Sequence, residues 1–408
     1  MPSLVYALEI DGLNSKHIIV YNKDNNKILY EKNSKDEVPM ASLTKIMTTI
    51  VSIENIKDLN EKVTITSDML KNIPWDATVA GLKVGDKVTY EDLLYSSMIP
   101  SGADATQALA ISLTGSIDNF VKLMNKKAKE LKMNNTNYVN TTGLDIDNHY
   151  STAKDILTLL NYSLNNETFK KIYETKNYTT TNNIKLESTL SHYNEYLNYD
   201  VSFIKGSKTG YTDDAGLCLS TESIIDDTTI LTVTTGADYT YDGYYNNLKD
   251  VKKIYNSLKE NFENITLFDE GTVIEKINTK NAKEKVVLIN SPKKVSLYIE
   301  KPYDKNKLKT EYNGPKEISY KTKKGTKIGT IKVYYDNELV DELDAITSED
   351  LHFSLFKFIK NNIVIILGVF IVFLIIKPKK RKRKKVARWY EPRFLDIETR
   401  FLYVKIKL

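Results

Sequence analysis

The sequence predicts an α+β protein with a first domain as large as an enzyme domain, a small all-β domain and one C-terminal apolar helix. Strand-like runs flank several helix-length apolar periods between residues 15 and 262. Short alternating runs separated by Gly, Asn, Pro and Lys turns follow from about Ile265. Residues 363–376 are an uninterrupted apolar run. We therefore expect a first domain over 1–262, an all-β domain over 263–350, a transmembrane helix over 355–376 and a basic tail over 377–408.

The N-terminal residues resemble the end of a secretion signal. Residues 4–7 have small or moderate side chains at the spacing of a signal-peptidase cut, but the charged and apolar regions that precede such a cut are missing. We expect Met1 to be a late start or a trimmed N-terminus. The alternative is a cytosolic protein with a short irregular N-terminus, and the C-terminal apolar run argues against it.

The segment around Ser42 is predicted to begin a buried helix. Pro39 ends the preceding segment, and apolar residues recur at helical spacing after Lys45. Because residues three apart share a helix face, Ser42 and Lys45 are expected within hydrogen-bonding reach of each other. A lysine in a dry pocket loses its proton more easily and can act as the base for a serine nucleophile.

The elements that follow alternate between helices and strands. Helices are predicted over 90–99, 106–113, 117–131, 152–164 and 244–261. Strands are predicted over 17–22, 27–31, 177–181, 201–205, 216–221 and 228–235. In the all-β domain we expect strands over 273–277, 285–289, 295–299, 317–320, 330–335 and 339–345.

The apolar run near the C-terminus is predicted to span a membrane. With residues 355–359 it reaches about 20 residues, close to the length needed to cross a bilayer. Eight of the nine residues in 377–385 are basic, which marks the cytoplasmic side and favours contact with anionic lipid. We therefore expect a single-pass membrane protein with an extracytoplasmic catalytic domain and a cytoplasmic C-terminus. The alternative is a helix that lies in the membrane interface.

The net charge of +5 does not indicate a nucleic-acid-binding protein. Thirteen basic and three acidic residues lie from Lys377 onward, so residues 1–376 carry a net charge of −5. No basic face with interleaved aromatic residues precedes the tail, and no nucleic acid partner is expected.

The cysteine and histidine content predicts neither a disulfide nor a metal site. Cys218 is the one cysteine and lies in an apolar strand, where it is expected to fill core volume. The four histidines are scattered along the chain, which argues against zinc and against a histidine-based triad. No cofactor and no metal are expected.

The Ser-x-x-Lys pattern at Ser42 carries little information by itself. Lysine is abundant, and the same spacing occurs at Ser151, Ser202, Ser291 and Ser354, where it is typical of a solvated helix or strand face. Ser42 differs because its neighbours are apolar and because two further motifs follow in order. These are Ser101, Gly102 and Ala103, and then Lys208, Thr209 and Gly210.

The ordered set resembles the penicillin-recognising serine acyl-enzymes, and in detail the low-molecular-mass penicillin-binding proteins that are serine-type D-alanyl-D-alanine carboxypeptidases. The resemblance extends over residues from about 15 to 350, and includes Gly143 and the residues 152–155. Any one motif is weak, whereas the ordered set is specific.

The resemblance implies a role for each matching residue. Ser42 would attack the carbonyl between two D-alanines, Lys45 would take its proton, and Ser101 would pass a proton to the departing D-alanine. Lys208 and Thr209 of the Lys208–Gly210 motif would bind the terminal carboxylate. Backbone N–H groups of Ser42 and Tyr211 would hold the oxyanion. The implied partners are peptidoglycan stem peptides as substrates and β-lactams as inhibitors.

The middle motif departs from the family pattern. It usually ends in Asn, where this chain has Ala103 followed by Asp104. Asp104 then either takes over part of the amide's role or caps the next helix. Losing one polar contact to a transition state typically costs on the order of 10²–10³ in rate. Slow turnover with preserved acylation is therefore expected.

Several alternatives remain at this point. Within the enzyme class, an endopeptidase or a β-lactamase shares the motifs, but no glutamate-bearing loop for a deacylating water is recognised. From another class, a catalytically impaired scaffold or sensor that binds peptidoglycan would account for Ala103. Ser101 could instead cap a helix, and Lys208 could be an exposed lysine at a strand end.

Overall fold

A computed structural model describes residues 10–191, 199–239 and 245–376 of the chain. The chain divides into two compact units. The first comprises Met1–Glu275, Leu288–Pro315 and Lys327–Ile346, and the second comprises Lys276–Val287, Lys316–Thr326 and Thr347–Leu408. The sequence-predicted signal-like residues 4–7 and the basic residues 377–408 lie outside the described residues.

The first unit is built on a five-stranded antiparallel sheet with the order β2-β1-β9-β8-β7. Its strands are β1 His17–Asn22, β2 Lys27–Lys32, β7 Ile204–Thr212, β8 Gly216–Ile225 and β9 Thr228–Ala237. Because side chains alternate across a strand, Ile18 and Val20 face one side of the sheet and Ile19 faces the other. Both faces are therefore buried.

Helices cover both faces of this sheet. Helix α7, Asn246–Asn261, contributes Ile254 and Leu258 to the apolar cluster that holds Ile18 and Val20. The large cluster on the other face holds Ile19, Ile46 and Ile50. Its helices are α1 Thr44–Asn55, α2 Tyr90–Met98, α3 Ala103–Thr114, α4 Ile117–Glu130, α5 Ala153–Ser163 and α6 Glu167–Glu174. The helix α1 that follows Ser42 is thus buried between the sheet and the other helices.

Four short strands form two small hairpin-like pairs beside the helices. Strands β3 Lys62–Thr64 and β4 Lys87–Thr89 pair with each other, as do β5 Asn177–Thr179 and β6 Lys185–Glu187. The segment between β3 and β4 contains a 3-10 turn, Asp68–Leu70, followed by irregular chain.

The remaining strands of the first unit form two smaller antiparallel sheets. One pairs β10 with β13, and the other has the order β14-β16-β17. These strands are β10 Phe262–Phe268, β13 Val295–Glu300, β14 Leu308–Asn313, β16 Lys327–Tyr335 and β17 Glu338–Ile346. Val295, Val333 and Leu343 form their buried apolar cluster.

The apolar C-terminal helix α8 and strand β15 belong to the second unit, and that strand is part of a three-stranded sheet. The sheet has the order β12-β11-β15, with β11 Val273–Lys280, β12 Val286–Asn290 and β15 Glu317–Ser319. Helix α8, Leu355–Ile376, has 22 residues and none of its apolar span is buried. By length and composition it could cross a membrane.

The first turn of α8 is attached to the turn that follows β11. The N–H of Ser354 donates to the carbonyl of Asn281 over 2.8 Å, and Lys357 Nζ donates to the carbonyl of Glu284 over 3.1 Å. His352 Nδ1 lies 2.8 Å from Glu284 Oε1, and the pKa of Glu284 falls to about 2 mainly through its hydrogen bond from the backbone of His352. Hydrogen bonds to residues 281 and 284 therefore hold the start of α8 in place.

The α+β fold class and the all-β C-terminal strands are confirmed, but some boundaries were wrong. The strand predicted over 201–205 begins only at Ile204 and continues to Thr212, because Val201 lies in a turn. Lys208 consequently lies in the middle of a strand and not at its end. Strands β10 and β14 were missed, since their sequences alternate only weakly between apolar and polar residues.

Candidate active site

Ser42 lies in a single 3-10 turn, Ala41–Leu43, that leads directly into α1. Ala41 has a φ of +46°, a left-handed conformation that costs free energy for a residue with a Cβ atom. The apolar residues after Ser42 are buried and hold the helix in the core. Ser42 itself is half-buried, so its hydroxyl sits where the buried helix meets the cavity.

Lys45 lies beside Ser42, as the three-residue spacing predicts. Its Nζ donates to Ser42 Oγ over 2.8 Å and to the carbonyl of Thr142 over 2.8 Å. The side chain is buried. The amine is thus aimed at the hydroxyl by a second, fixed acceptor.

Two glycines allow other backbone segments to approach the Ser42 turn. A Cβ atom on Gly143 would lie 1.8 Å from the carbonyl oxygen of Ala41, and one on Gly210 would lie 2.8 Å from the backbone nitrogen of Ser42. No side chain fits in either place. Gly210 therefore brings strand β7 against the backbone of Ser42, and with it the adjacent Tyr211.

Ser101 and Lys208 are joined although 107 residues separate them in the chain. Lys208 Nζ donates to Ser101 Oγ over 2.9 Å and to the carbonyl of Thr209 over 2.9 Å. Both side chains are buried, which excludes an exposed strand-end lysine. Ser101 does not cap a helix either, because α3 starts after Gly102 without a side-chain cap.

The surroundings of Lys45 and Lys208 lower the pKa of both amines and so disfavour their charged form. Burial lowers the pKa of Lys45 to about 7, while the carboxylate of Asp104 acts in the opposite direction. Burial also lowers the pKa of Lys208 well below its usual value, and the charge of Lys45 adds to this effect. Lys45 can therefore be an unprotonated base near neutral pH.

A cavity opens above this group of residues. Ser42, Lys45 and Ala103 lie at its inner side, and its other lining residues come from three separate segments: Pro74, Asp76, Ala77 and Thr78; Thr142, Gly143, Leu144 and Asp145; Tyr211, Thr212 and Asp213. Ser101, Lys208 and Thr209 are not among the lining residues; Thr209 immediately precedes Gly210, which abuts Ser42. Among the described residues, no group of His, Cys, Asp and Glu side chains has the arrangement of a metal site.

The sequence analysis did not identify the turn that orients Lys45. Asn140 Oδ1 accepts hydrogen bonds from the N–H groups of Thr142 and Gly143, over 3.0 and 2.7 Å. This side chain shapes the turn whose Thr142 carbonyl holds Lys45. The Asn-Thr-Thr-Gly run at 140–143 is a recognisable turn signal, but nothing in it indicates that a carbonyl reaches a lysine elsewhere in the chain.

His149 is a second residue that the sequence analysis left without a role. Its Nδ1 accepts from the N–H of Val139 over 3.1 Å, so Nε2 carries the proton and donates to Thr44 Oγ1 over 2.8 Å. Burial lowers the pKa of His149 to about 4, which keeps the ring neutral. The histidine thus links the 139–149 segment to the residue two positions after Ser42.

The prediction that Asp104 is the N-cap of α3 was wrong, and its other predicted role, contact with Lys45, is reduced to a charge effect that raises the pKa of the lysine. The carboxylate makes no hydrogen bond to Lys45, and the N-cap position of α3 belongs to Gly102. Instead it accepts from the N–H groups of Ala80, Gly81 and Leu82 over 2.8, 2.9 and 3.0 Å. Ala103, which replaces the family's amide, lines the cavity with its methyl group only.

Comparison with known proteins identifies two family regions. Residues 5–239 match the D-alanyl-D-alanine carboxypeptidase family. Residues 262–352 match the C-terminal domain of penicillin-binding protein 5. The first match covers more than half of the chain and contains all three motifs.

Curated relatives and a solved structure agree with these regions. A D-alanyl-D-alanine carboxypeptidase of Bacillus subtilis, DacF, is 29% identical over 341 residues, which cover 83% of this chain and 86% of the relative. A D-alanyl-D-alanine endopeptidase of Pseudomonas aeruginosa is 32% identical over 51% of this chain and 66% of the relative. The crystal structure of penicillin-binding protein 5 from Haemophilus influenzae aligns with a TM-score of 0.63 and 25% identity, over 84% of this chain and 99% of that one.

Proposed function

Since the chain belongs to the D-alanyl-D-alanine carboxypeptidase family and is a carboxypeptidase of the penicillin-binding type, we propose that Ser42 is its nucleophile and Lys45 the base. The observation that carries this proposal is the 2.8 Å hydrogen bond between Lys45 Nζ and Ser42 Oγ at the inner side of the cavity. An amine with a pKa of about 7 can accept the hydroxyl proton near neutral pH.

The backbone N–H groups of Ser42 and Tyr211 are proposed to hold the oxyanion. The contact of Gly210 with the Ser42 backbone supports this assignment, because it brings the next residue of β7 close to the Ser42 turn. Two fixed N–H donors would stabilise the negative charge that develops on the substrate carbonyl.

Ser101, Lys208 and Thr209 are proposed to act on the C-terminal D-alanine. Lys208 and the Thr209 hydroxyl would bind the terminal carboxylate, and Ser101 would deliver a proton to the departing amine. Burial and Lys45 disfavour the ammonium form of Lys208, whereas a bound carboxylate would favour it. The hydrogen bond between Lys208 and Ser101 supports a shared proton at this position.

The reaction then runs in two steps. Ser42 Oγ forms an ester with the penultimate D-alanine carbonyl carbon, the C–N bond breaks, and the amine leaves with the proton as free D-alanine. Water next adds to the ester carbonyl, the bond to Ser42 Oγ breaks, and the proton returns to the serine. A β-lactam would acylate Ser42 in the same way. Substrates are therefore proposed to be stem peptides of peptidoglycan.

Labelling with a fluorescent penicillin tests this assignment. The wild-type chain should form a covalent adduct that mass spectrometry locates on the peptide containing Ser42. Ser42→Ala and Lys45→Ala should both lose the adduct while retaining the folded state by circular dichroism. Labelling that persists in Ser42→Ala would contradict the proposed nucleophile.

Release of D-alanine from a synthetic pentapeptide tests turnover separately from acylation. The family and the named relatives are peptidases, and a scaffold without activity is not favoured. Because one relative is named an endopeptidase, a cross-linked dimer peptide is the second substrate to measure. Faster cleavage of the dimer than of the pentapeptide would replace the carboxypeptidase assignment by an endopeptidase.

Helix α8 is proposed to anchor the chain in the cell membrane as a single span. Its 22 residues and the absence of burial along its apolar span support this proposal. The proposed orientation puts the catalytic residues outside the cytoplasm and residues 377–408 inside, on the basis of the basic run in the sequence. The division into 1–262, 263–350, 355–376 and 377–408 likewise remains a proposal.

A further inference from the structure

One wall of the cavity is formed by segment 74–82, whose apolar packing is confined to its C-terminal end, where Leu82 is buried in the large apolar cluster and Ala80 packs against it. Pro74 and residues 76–78 line the cavity together with Ser42 and Lys45. The segment 74–82 is irregular, and its side chains Trp75 and Val79 are 97% and 47% exposed. Burial of these two side chains therefore does not hold the wall in place.

Hydrogen bonds to two residues hold the rest of this segment. Within the part of the chain that the structure describes, the hydrogen bonds from segment 74–82 to distant residues all reach Ala103 or Asp104. The N–H of Ala103 donates to the carbonyl of Thr78 over 2.8 Å. The carboxylate of Asp104 accepts the three successive N–H groups of residues 80–82. The start of α3 is thus the attachment point of the wall.

Asp104 is a buried carboxylate whose described partners are backbone N–H groups. It is 2% exposed, and a fourth N–H, that of Ala105, donates to Oδ1 over 2.9 Å. None of the ion pairs among the described residues involves Asp104. Burying a charge costs free energy unless hydrogen bonds replace its water shell. The Asp104 carboxylate accepts four such hydrogen bonds, and three of them come from residues 80–82 of the wall.

Gly102 makes the contact between the wall and the helix close. A Cβ atom on Gly102 would lie 2.7 Å from Asp104 Oδ1 and 3.0 Å from Ala80 Cβ. Any side chain at this position would push residue 80 away from the carboxylate. The wall therefore packs directly on the backbone of the middle motif.

We propose that Asp104 is a positioning residue for acyl transfer, because its carboxylate holds segment 74–82 at the start of α3 as a wall of the cavity beside Ser42. This inference rests on the proposed function of the cavity. It assigns a role to the residue next to Ala103 that differs from replacing the family's amide. Asp104 acts on the shape of the site through the segment and touches neither Ser42 nor Lys45 by a hydrogen bond.

The charge of Asp104 allows a second measurement, the pH dependence of acylation, which does not depend on the position of the wall. Its field raises the pKa of Lys45, against the larger effect of burial. Removing the charge should lower the pKa of Lys45 further. The acidic limb of the pH profile for acylation should then move to lower pH, which a purely structural role would not produce.

The test compares Asp104→Asn with the matched variant Asp92→Asn in the full chain. Asp92 is also buried in the first turn of a helix and also holds a distant segment, accepting from the N–H of Thr181 over 3.1 Å and from Tyr178 OH over 3.0 Å. It does not line the cavity. Acylation by a fluorescent penicillin, its pH profile, and hydrogen exchange at the amides of residues 80–82 are measured for each variant.

Asp104→Asn should lower the second-order acylation constant by about 10²-fold, the scale of a small misplacement of a reacting group. Its acidic limb should move to lower pH, and the amides of residues 80–82 should exchange faster. Asp92→Asn should lower the unfolding midpoint while leaving the acylation constant, its pH profile and those amides unchanged.

Gly81→Ala weakens the same attachment by changing the backbone of segment 74–82 itself, and it leaves the charge of Asp104 in place. Gly81 has a φ of +95° with no atom near its Cβ position, so alanine adds backbone strain without a clash. This variant should acylate more slowly with an unchanged acidic limb. If Asp104→Asn does not fold, the Gly81→Ala variant tests the inference by itself.

Two outcomes would overturn the inference. The first is an Asp104→Asn protein that acylates like Asp92→Asn with the same pH profile. The second is a Gly81→Ala protein whose segment amides exchange faster while acylation stays normal. A wild-type chain that forms no adduct on Ser42 would instead overturn the proposed function.

Discussion

At the scale of single residues, the proposed mechanism depends on the protonation state of Lys45. Its amine contacts Ser42 Oγ and the Thr142 carbonyl, and burial sets its pKa at about 7. A base must be unprotonated to accept a proton. In the proposed mechanism, deprotonation of this one buried amine therefore activates Ser42.

Acylation by penicillin should consequently rise with pH between about 6 and 8. The unprotonated fraction of Lys45 increases through its pKa of about 7, so the rate should increase tenfold per pH unit below that value and level off above it. Stopped-flow labelling over pH 5.5–9 measures this. A flat profile across that range would count against Lys45 as the base.

Lys208 should distinguish substrates by their terminal carboxylate. Lys208→Met should reduce kcat/KM for a D-alanyl-D-alanine peptide by about 10²-fold, since a charged hydrogen bond to a buried group is lost. The same peptide with a C-terminal amide should lose less, because it has no carboxylate to bind and only the contact of Lys208 with Ser101 is removed. Equal losses for both peptides would contradict the assigned role.

At the scale of elements, two glycines make the assembly of the site possible. The 3-10 turn Ala41–Leu43 supplies Ser42 and helix α1 supplies Lys45, while Gly143 and Gly210 let a loop and strand β7 reach this turn. The left-handed backbone at Ala41 is held between them. The site is thus determined by close backbone approach as much as by its reactive side chains.

Gly143→Ala should disrupt this approach and abolish labelling. The added methyl carbon would lie 1.8 Å from the Ala41 carbonyl oxygen, and the φ of Gly143 is +90°. Gly115→Ala is the matched control, since Gly115 has a φ of +80° but no atom within 4 Å of its Cβ position. The control should lose roughly 1–2 kcal/mol of unfolding free energy in urea and label normally. Gly143→Ala should lose more and label poorly.

The same residues show how far sequence reasoning reaches. The spacing of Ser42 and Lys45 predicts their contact, because it is local to one helical turn. Motif order and family resemblance assign Ser101 and Lys208 to one site, but they do not predict the hydrogen bond between them. The Thr142 carbonyl, the wall at 74–82 and the partners of Asp104 could not be predicted, because backbone groups have no sequence signature and these contacts are long-range.

The fold was predictable where periodicity is strong. Helices α2 and α4 lie within a residue of their predicted bounds. The strand that carries Lys208 was placed too early, since residues 201–203 have strand-like composition but form a turn. Buried polar residues such as Lys208 and Ser101 interrupt the apolar pattern at the positions of the proposed site.

At the scale of the whole molecule, attachment to the membrane is the testable property. The full chain should stay in the membrane fraction in both high salt and alkaline carbonate, as a spanning protein does. A chain whose helix lies in the interface should be released by carbonate. Ile366→Lys combined with Phe370→Lys should also release it, because each lysine at the centre of a span costs about 3 kcal/mol.

The attachment of the first turn of α8 limits how such a membrane-spanning helix could move. Its first turn is bound to Asn281 and Glu284, and the ring of Phe353 packs on Tyr320 and Phe358 at centroid distances of 4.8 and 5.7 Å. A helix joined in this way cannot pivot at its first residue. Tilting or rotating the part of α8 that is proposed to span the membrane would therefore pull on the turn after β11, which these hydrogen bonds join to the helix.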